Sequence, residues 1–444
     1  MTAKRKQLKL ATTLIAPRAA SGGWRHPGAE AYAKEPISYY AELARKAEDG
    51  KLDYLFQPDQ YRVSATTDRE FQHNVNVWPE PVTLLTAMAA FTKRIGLAAT
   101  ISTTYNEPYH VARMMATLDH LSGGRASWNI VQSIGELEAP NFKNDHRPKQ
   151  EERDTHSAAF VDVVKELWDS WEDDAIIADK EAGIFADPGK IHIVGHESKW
   201  FSVKGPLNVA RPTQGYPVLI QAGQSDSFKE RAAQNADVIF TMLNDLTQAR
   251  QFYKDVKQRL SKYGRTSEEL LIMPGLHLHV GTTMEEAREK QQYLTELERF
   301  DTRLDRISFM LGIEITEQML DGPLPVAHEG LVTAKYKRNK ELADRQGWTT
   351  VRQLHRHLEE IGGHLTLIGT PVQIADRLEE WLVNEGADGF TYIPNILPSG
   401  LDDLVDLVIP ELQNRGLFRK AYEHTTLRGN LGLSRPRNRY VKAD

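Results

Sequence analysis

A chain of 444 residues with 26% charged and 40% hydrophobic residues has ordinary globular composition and enough length for a large core. Its net charge of −6 excludes the strongly basic footprint of a nucleic-acid binder, and no apolar run reaches the ~18 residues of a membrane span. The absence of cysteine excludes disulfides, a thiol nucleophile and a thiolate metal site, and fits a cytoplasmic protein.

The first residues, MTAKRKQLKLATTLIAPRAAS, have a basic front, a short apolar stretch and small residues, a faint likeness to a signal peptide. Thr12 and Thr13 break the apolar part, so residues 8–15 read as a first β-strand. Seven further apolar runs follow: LDYLF, RIGLAATI, ASWNIV, PVLIQA, DVIFTM, LLIMPGLHLHV and GFTYI. Each of the eight precedes a helical pattern, such as ISYYAELARKAEDG after the first and LTQARQFYKDVKQRLSKYG after the sixth. Such alternation calls for parallel strands joined by right-handed crossovers. Eight units predict a (β/α)8 TIM barrel spanning 1–444 as one domain, with a doubly wound open sheet as the alternative. Two stretches exceed simple connections and read as insertions, 172–216 with its Gly, Pro and Trp residues and 297–386 with several helical patterns. The tail LGLSRPRNRYVKAD is basic and reads as a surface arm.

In a barrel the chemistry gathers at the C-terminal ends of the strands. Asp59 follows the second strand; Ser102, Thr103 and Thr104 follow the third; Asn129 lies in the fourth; Ser225, Asp226 and Ser227 follow the fifth. These are mostly neutral hydrogen-bonding groups, suited to orienting a polar ring system, although each is also an ordinary cap or turn residue. No GxGxxG and no Walker loop is present, so a dinucleotide site has no support. GLHLHV places His277 and His279 on one strand face, where they either ligate a metal or line a pocket. The three histidines of RQLHRHLEEIGGH, His355, His357 and His364, sit among charges and read as a solvated helix face. Trp168 and Trp171 at helical spacing read as core.

Six stretches carry a resemblance: GGWRHPGAE, YYAELARKAEDGKLDYLF, TTYNEPYHVARMMATLDHLSGGRASWNIV, LWDSWEDDAI, FSVKGPLNVARPTQGYPVLIQAG and GTPVQIADRLEEWLVNEGADGFTYIPNILP. Together, and in order over nearly the whole chain, they resemble the flavin-dependent monooxygenases of the bacterial luciferase-like superfamily. The closer likeness is to the nitrilotriacetate monooxygenase component A group.

That resemblance implies a TIM barrel with insertions and reduced FMN as a cosubstrate delivered by a separate NAD(P)H:flavin reductase. Oxygen would add at flavin C4a, and the peroxide would oxygenate a small organic substrate. Carried over by position, Asp59, Thr104 and Asn129 hold the isoalloxazine and ribityl chain, and Ser225, Asp226 and Ser227 meet the phosphate. The chain departs from the family in two places. Phe228 stands where a Gly closes the phosphate loop. In the second phosphate-binding element that the resemblance implies, Gln150, Arg153 and Asp154 stand where the family has His, Arg and Tyr: Arg153 remains, while an ionised Asp154 would oppose the phosphate unless it pairs with Arg153 or His156. Trp24, His26, Tyr105 and His146 are candidates for the substrate pocket, and no catalytic acid or base is identifiable. A homodimer or homotetramer is expected. Two other readings stand beside the oxygenase: a metal-dependent barrel hydrolase using His277 and His279, and a non-catalytic flavin-binding protein of the same fold.

Overall fold

The computed structural model describes residues 6–15, 22–63, 65, 68–133, 136–142, 149–297, 299, 304, 307–308, 311–326, 334–355 and 363–441. Within them the eight apolar runs form eight parallel strands: β1 (Lys9–Thr13), β2 (Tyr54–Gln57), β3 (Gly96–Ser102), β4 (Ala126–Val131), β5 (Val218–Ala222), β6 (Val238–Thr241), β7 (Leu271–Val280) and, last in the chain, β9 (Gly389–Tyr392). They pair in chain order, and the ring closes where β9 joins β7 to β1, with Lys9 beside Gly389 and Leu276 beside Tyr392. A doubly wound open sheet is therefore ruled out. The runs are apolar throughout because strands of such a sheet are covered on both faces.

Helices α1 (Pro36–Asp49), α2 (Pro81–Phe91), α3 (Pro108–Ser122), α4 (Gln150–Asp169), α5 (Asp226–Asn235), α6 (Leu246–Arg259) and α7 (Met284–Leu297) cover the outside. The first three open on proline, whose missing N–H costs nothing in a first turn. Between barrel wall and helices lies the main core, in which Trp128 of β4 meets Phe160 and Trp168 of α4. Trp168 is fully buried there, whereas Trp171 is half-buried and donates its indole N–H to the Leu207 carbonyl at 2.7 Å.

Alternate residues point inward. Ala11, Tyr54, Phe56, Ala98, Val218, Ile220, Val238 and Met273 fill the barrel together with Leu427, just before the tail, and Leu431 and Leu433 of the tail itself. The tail is thus not the free surface arm its basic residues suggested; its leucines are part of the barrel's interior core. Arg428 is buried with it and pairs with Asp237 at 2.7 Å, while Arg435 pairs with Asp173 at 2.6 Å.

The 172–216 stretch holds two antiparallel hairpins, Ile176–Asp179 with Ile184–Ala186 and His196–Glu197 with Ser202–Val203. The later stretch builds a small core of its own from Ile307, Leu311, Ile315, Leu320, Ala343, Val351 and Leu354. It also contains a ninth strand, β8 (Leu365–Gly369), followed by α8 (Pro371–Val383). β8 pairs with the outer half of β7, from Leu276 beside Leu365 to Val280 beside Gly369. Among the described residues, no helix is long and apolar enough to cross a membrane.

Candidate functional site

The mouth of the barrel is the end at which β3 finishes at Ser102, β6 at Thr241 and β9 at Tyr392. Its floor is aromatic: the rings of Phe56 and Phe240 stack across the interior at 5.6 Å. Above that floor, β3 and β4 form a polar wall. Thr100 and Asn129 are neighbours in register, and the Asn129 Nδ2 donates to Thr100 Oγ1 at 2.9 Å. Trp128 faces the helices, so period-two alternation turns Asn129 inward. Asn129 is 3% exposed, and its Oδ1 has no hydrogen-bond partner among the described residues. A buried amide oxygen in that state carries a desolvation cost of order 1–3 kcal/mol, which a ligand N–H or O–H would relieve.

Further along the wall, Ser102 Oγ accepts from the Thr104 N–H at 3.0 Å and bonds Ser133 Oγ at 2.9 Å. Thr103 is buried and donates to the Val131 carbonyl at 3.3 Å. Asp59 accepts from the Trp78 indole N–H at 3.1 Å. Tyr105 stacks on Phe142 at 4.3 Å and meets Tyr61 edge-on. The same Trp78 lines a largely apolar cavity of about 390 Å³ with Leu14, Ile15, Trp24, Tyr39 and Tyr40. Trp24 is fixed there by its indole N–H on the His73 carbonyl, 3.0 Å away. His26 accepts from the Gly28 N–H through Nδ1 and sets its ring edge-on to Tyr293 at 5.5 Å. His146 lies outside the described residues.

At the β4–β5 side, Thr104 and Arg153 share a cavity of about 190 Å³ with Glu152, His156 and Trp200. Arg153 is 4% exposed, which places a permanently charged guanidinium beside that space. Burial lowers the His156 pKa, so this ring adds no fixed charge near neutrality. Asp154 pairs with neither Arg153 nor His156. Its carboxylate meets Arg231 of α5 at 2.7 Å and accepts from Gln150 Nε2 at 2.8 Å. The charge expected to oppose an anion is therefore already met by a cation that the sequence alone did not connect to it.

The start of α5 is ordered by its own side chains. Ser225 caps the helix, its Oγ accepting from the Phe228 N–H at 3.2 Å and lying 3.2 Å from Ser227 Oγ. Asp226 turns outward, 82% exposed at its side chain, to Arg259 at 2.7 Å and Lys229 at 3.5 Å. Phe228 puts its ring into the core, 4% exposed, and a Cβ at Gly223 would lie 2.7 Å from it. Its bulk thus points away from the first-turn amides of Asp226 and Ser227, which have no acceptor within the helix. A small residue is still required, but at 223 rather than at 228.

His277 and His279 are at the mouth as well. Leu271 and Met273 face inward, so Gly275 and His277 do too. His277 Nδ1 meets the Ile393 carbonyl at 2.9 Å, and Asn395 Nδ2 meets His279 Nε2 at 3.3 Å. Among the described residues, no three His, Cys, Asp or Glu side chains converge on a metal position. His364 is not on a solvated helix face. It precedes β8 and lies over Gly275, with its ring 5.7 Å from that of His277 and 5.4 Å from that of Phe240. His355 is buried rather than solvated, and His357 lies outside the described residues.

Comparison with known proteins agrees with this architecture. Residues 19–389 match the model of the family described as luciferase-like monooxygenase. The chain is 44% identical to N-acetyl-S-(2-succino)cysteine monooxygenase of Bacillus subtilis (strain 168) over 446 residues, covering 100% of each. It is also 44% identical to nitrilotriacetate monooxygenase component A of Aminobacter aminovorans over 435 residues, 95% of each. The crystal structure of DmoA from Hyphomicrobium sulfonivorans superposes with a TM-score of 0.84 at 30% identity, covering 96% of this chain and 92% of that one. A closed barrel with a polar wall at its mouth and these likenesses together place the chain in the luciferase-like monooxygenase family, in the group of nitrilotriacetate monooxygenase component A, as a flavin-dependent monooxygenase.

Proposed function

We propose that this chain is the oxygenase component of a two-component system, using reduced FMN from a separate NAD(P)H:flavin reductase and O2 to oxygenate a small organic substrate. The observation that carries the reading is the unpartnered Asn129 Oδ1 on the same wall that leads, through Thr104, to the Arg153 cavity. A flavin needs both features: hydrogen-bonding groups for a polar ring and a cation for a phosphate. The nitrilotriacetate relative supports the division of labour, since its own name marks it as one component of a larger system.

Reduced FMN, when bound, supplies the electrons that activate O2, so that one oxygen atom enters the substrate. The chain's own residues bind, orient and shield. Asn129 accepts a hydrogen bond from the ring, with Thr104 and Asp59 beside it. Arg153 and the Asp226 and Ser227 amides hold the phosphate, with Ser225 fixing the helix start. Arg231 keeps Asp154 from opposing that phosphate. The Phe56–Phe240 floor closes the barrel beneath the ring to water. The apolar cavity of Trp24 and Trp78 receives the substrate beside Asp59.

The test mixes protein, FMN, NADH and a substrate panel with and without a separate flavin reductase. Product that forms only with the reductase agrees with the proposal. Efficient NADH oxidation by this chain alone, or a flavin that survives dialysis, contradicts it.

A further inference from the structure

We infer that the cavity of Trp24 and Trp78 selects substrates that carry an alkylammonium group, held by the aromatic rings around it and by the carboxylate of Glu30. This deepens the reading of the chain as an oxygenase and rests on it.

The lining of the cavity carries the inference. Its volume of about 390 Å³ is that of a small-molecule site. Trp24, Trp78, Tyr39 and Tyr40 wall it, all half-buried, and the exposed Tyr32 stands at its rim. The rings of Tyr39 and Tyr40 meet edge-on at 5.2 Å. The indole N–H of Trp24 goes to the His73 carbonyl and that of Trp78 to Asp59, and neither acceptor belongs to a lining residue. The two indoles therefore offer the cavity ring surface rather than donors. Asp59, on the Trp78 N–H, also adds negative charge at the edge of that ring.

The charge of the lining is one-sided. Glu30 lines the cavity, and no Lys, Arg or His lines it among the described residues. The Glu30 backbone is fixed by its N–H on the Leu397 carbonyl at 2.9 Å. Its carboxylate makes no ion pair or side-chain hydrogen bond among the described residues. Burial, then Tyr40 and the Glu30 charge, raise the Tyr39 pKa, and burial raises that of Tyr40. Both phenols are thus neutral near pH 7, and the Glu30 charge is felt within the aromatic wall. An anionic ligand would meet a carboxylate here and no cation, and a neutral one would leave Glu30 unused. An alkylammonium group uses both features. Its alkyl groups pack on the rings, while its charge is attracted to the ring faces and to Glu30. The rim agrees: Tyr32 is 76% and Val77 63% exposed, apolar side chains that a bound ligand would take out of water.

The test uses three probes of one shape and different charge: choline, the neutral 3,3-dimethylbutanol and the anionic 3,3-dimethylbutyrate. Each is titrated by calorimetry into the full chain without flavin, so the outcome does not depend on the flavin site. Choline should bind at least about tenfold more tightly than the alcohol, the scale of a cation held by several rings and a carboxylate. The butyrate should bind more weakly than the alcohol. Glu30→Gln should lose most of the preference for choline while binding the alcohol and melting as the parent does, since Glu30 is exposed. Tyr32→Leu keeps the rim apolar but removes a ring, and should also lower the preference. Equal binding of choline and the alcohol, no choline binding, butyrate binding as tight as that of choline, or a preference that Glu30→Gln leaves unchanged would overturn the inference. A separate FMN titration keeps the two readings apart. FMN binding without a choline preference leaves the oxygenase reading intact and removes this one, and a choline preference without FMN binding does the reverse.

Discussion

Replacing Arg231 with Ala should weaken FMN binding without removing any residue assigned to the flavin itself. Arg231 meets Asp154 at 2.7 Å, and the two side chains are 24% and 21% exposed. The Gln150 side chain bonds both Asp154 and Arg153, so an unpaired carboxylate at 154 would stand one side chain away from a phosphate held by Arg153. At ~6 Å and an effective dielectric of ~40, one pair of unit charges is worth ~1.4 kcal/mol. Salt screening reduces this and the double charge of the phosphate increases it, giving a loss of ~1–2 kcal/mol, or ~5–30-fold in affinity. The assay is quenching of FMN fluorescence at low and high salt, with thermal melts as the folding control. The loss should shrink at high salt and should be recovered in the double variant Arg231→Ala/Asp154→Asn. Asp154→Tyr should bind FMN more tightly than the parent, since it removes the carboxylate and frees Arg231. Unchanged affinity in Arg231→Ala, or a loss that salt does not alter, would refute the placement of this pair beside the phosphate.

Other outcomes follow from the same structure. Asn129→Ala should cost FMN affinity ~1–3 kcal/mol, the scale of a buried polar partner lost; unchanged titrations would move the ring off this wall. Phe228→Ala empties the core beneath Gly223 and should lower unfolding free energy by ~3–5 kcal/mol in denaturant melts, and a loss under ~1 kcal/mol would show that α5 does not rely on this ring. Asp173 is held to about 2, first by its hydrogen bonds with Arg435 and then by Arg211. Because that folded value lies below the unfolded ~3.9, its stabilisation is complete above pH ~4 and lost as pH falls toward ~2. Arg435→Met should therefore raise the Asp173 pKa in an NMR titration and move acid unfolding to higher pH; an unmoved titration would show the tail bond is not made in solution.

The barrel was legible because each strand is short, apolar on both faces and followed by a helical period. β8 was not, since Thr366 and Ile368 interrupt its burial and it pairs only along the outer half of β7. The polar wall was legible for a similar reason: Asn129 is a lone amide in the apolar run ASWNIV, and such a residue needs a partner or a task. Charge pairing was hidden. Asp154 and Arg231 each look like solvated helix residues, and only the packing of α4 beside α5 joins them. His364 was masked by the charged residues before it, although Gly275 in PGLHLH already signalled that something approaches that strand. The tail misled because its arginines dominate its composition, whereas its two leucines, Leu431 and Leu433, decide where it starts.

The most direct measurement is a crystal structure of the protein soaked with FMN. The phosphate is expected within hydrogen-bonding distance of Arg153 and the Asp226 and Ser227 amides, with the isoalloxazine over the Phe56–Phe240 stack and a ring N–H on Asn129 Oδ1. A flavin bound elsewhere on the chain, or a mouth that stays empty at saturating FMN while Arg153 and Asn129 keep their present surroundings, would contradict the account.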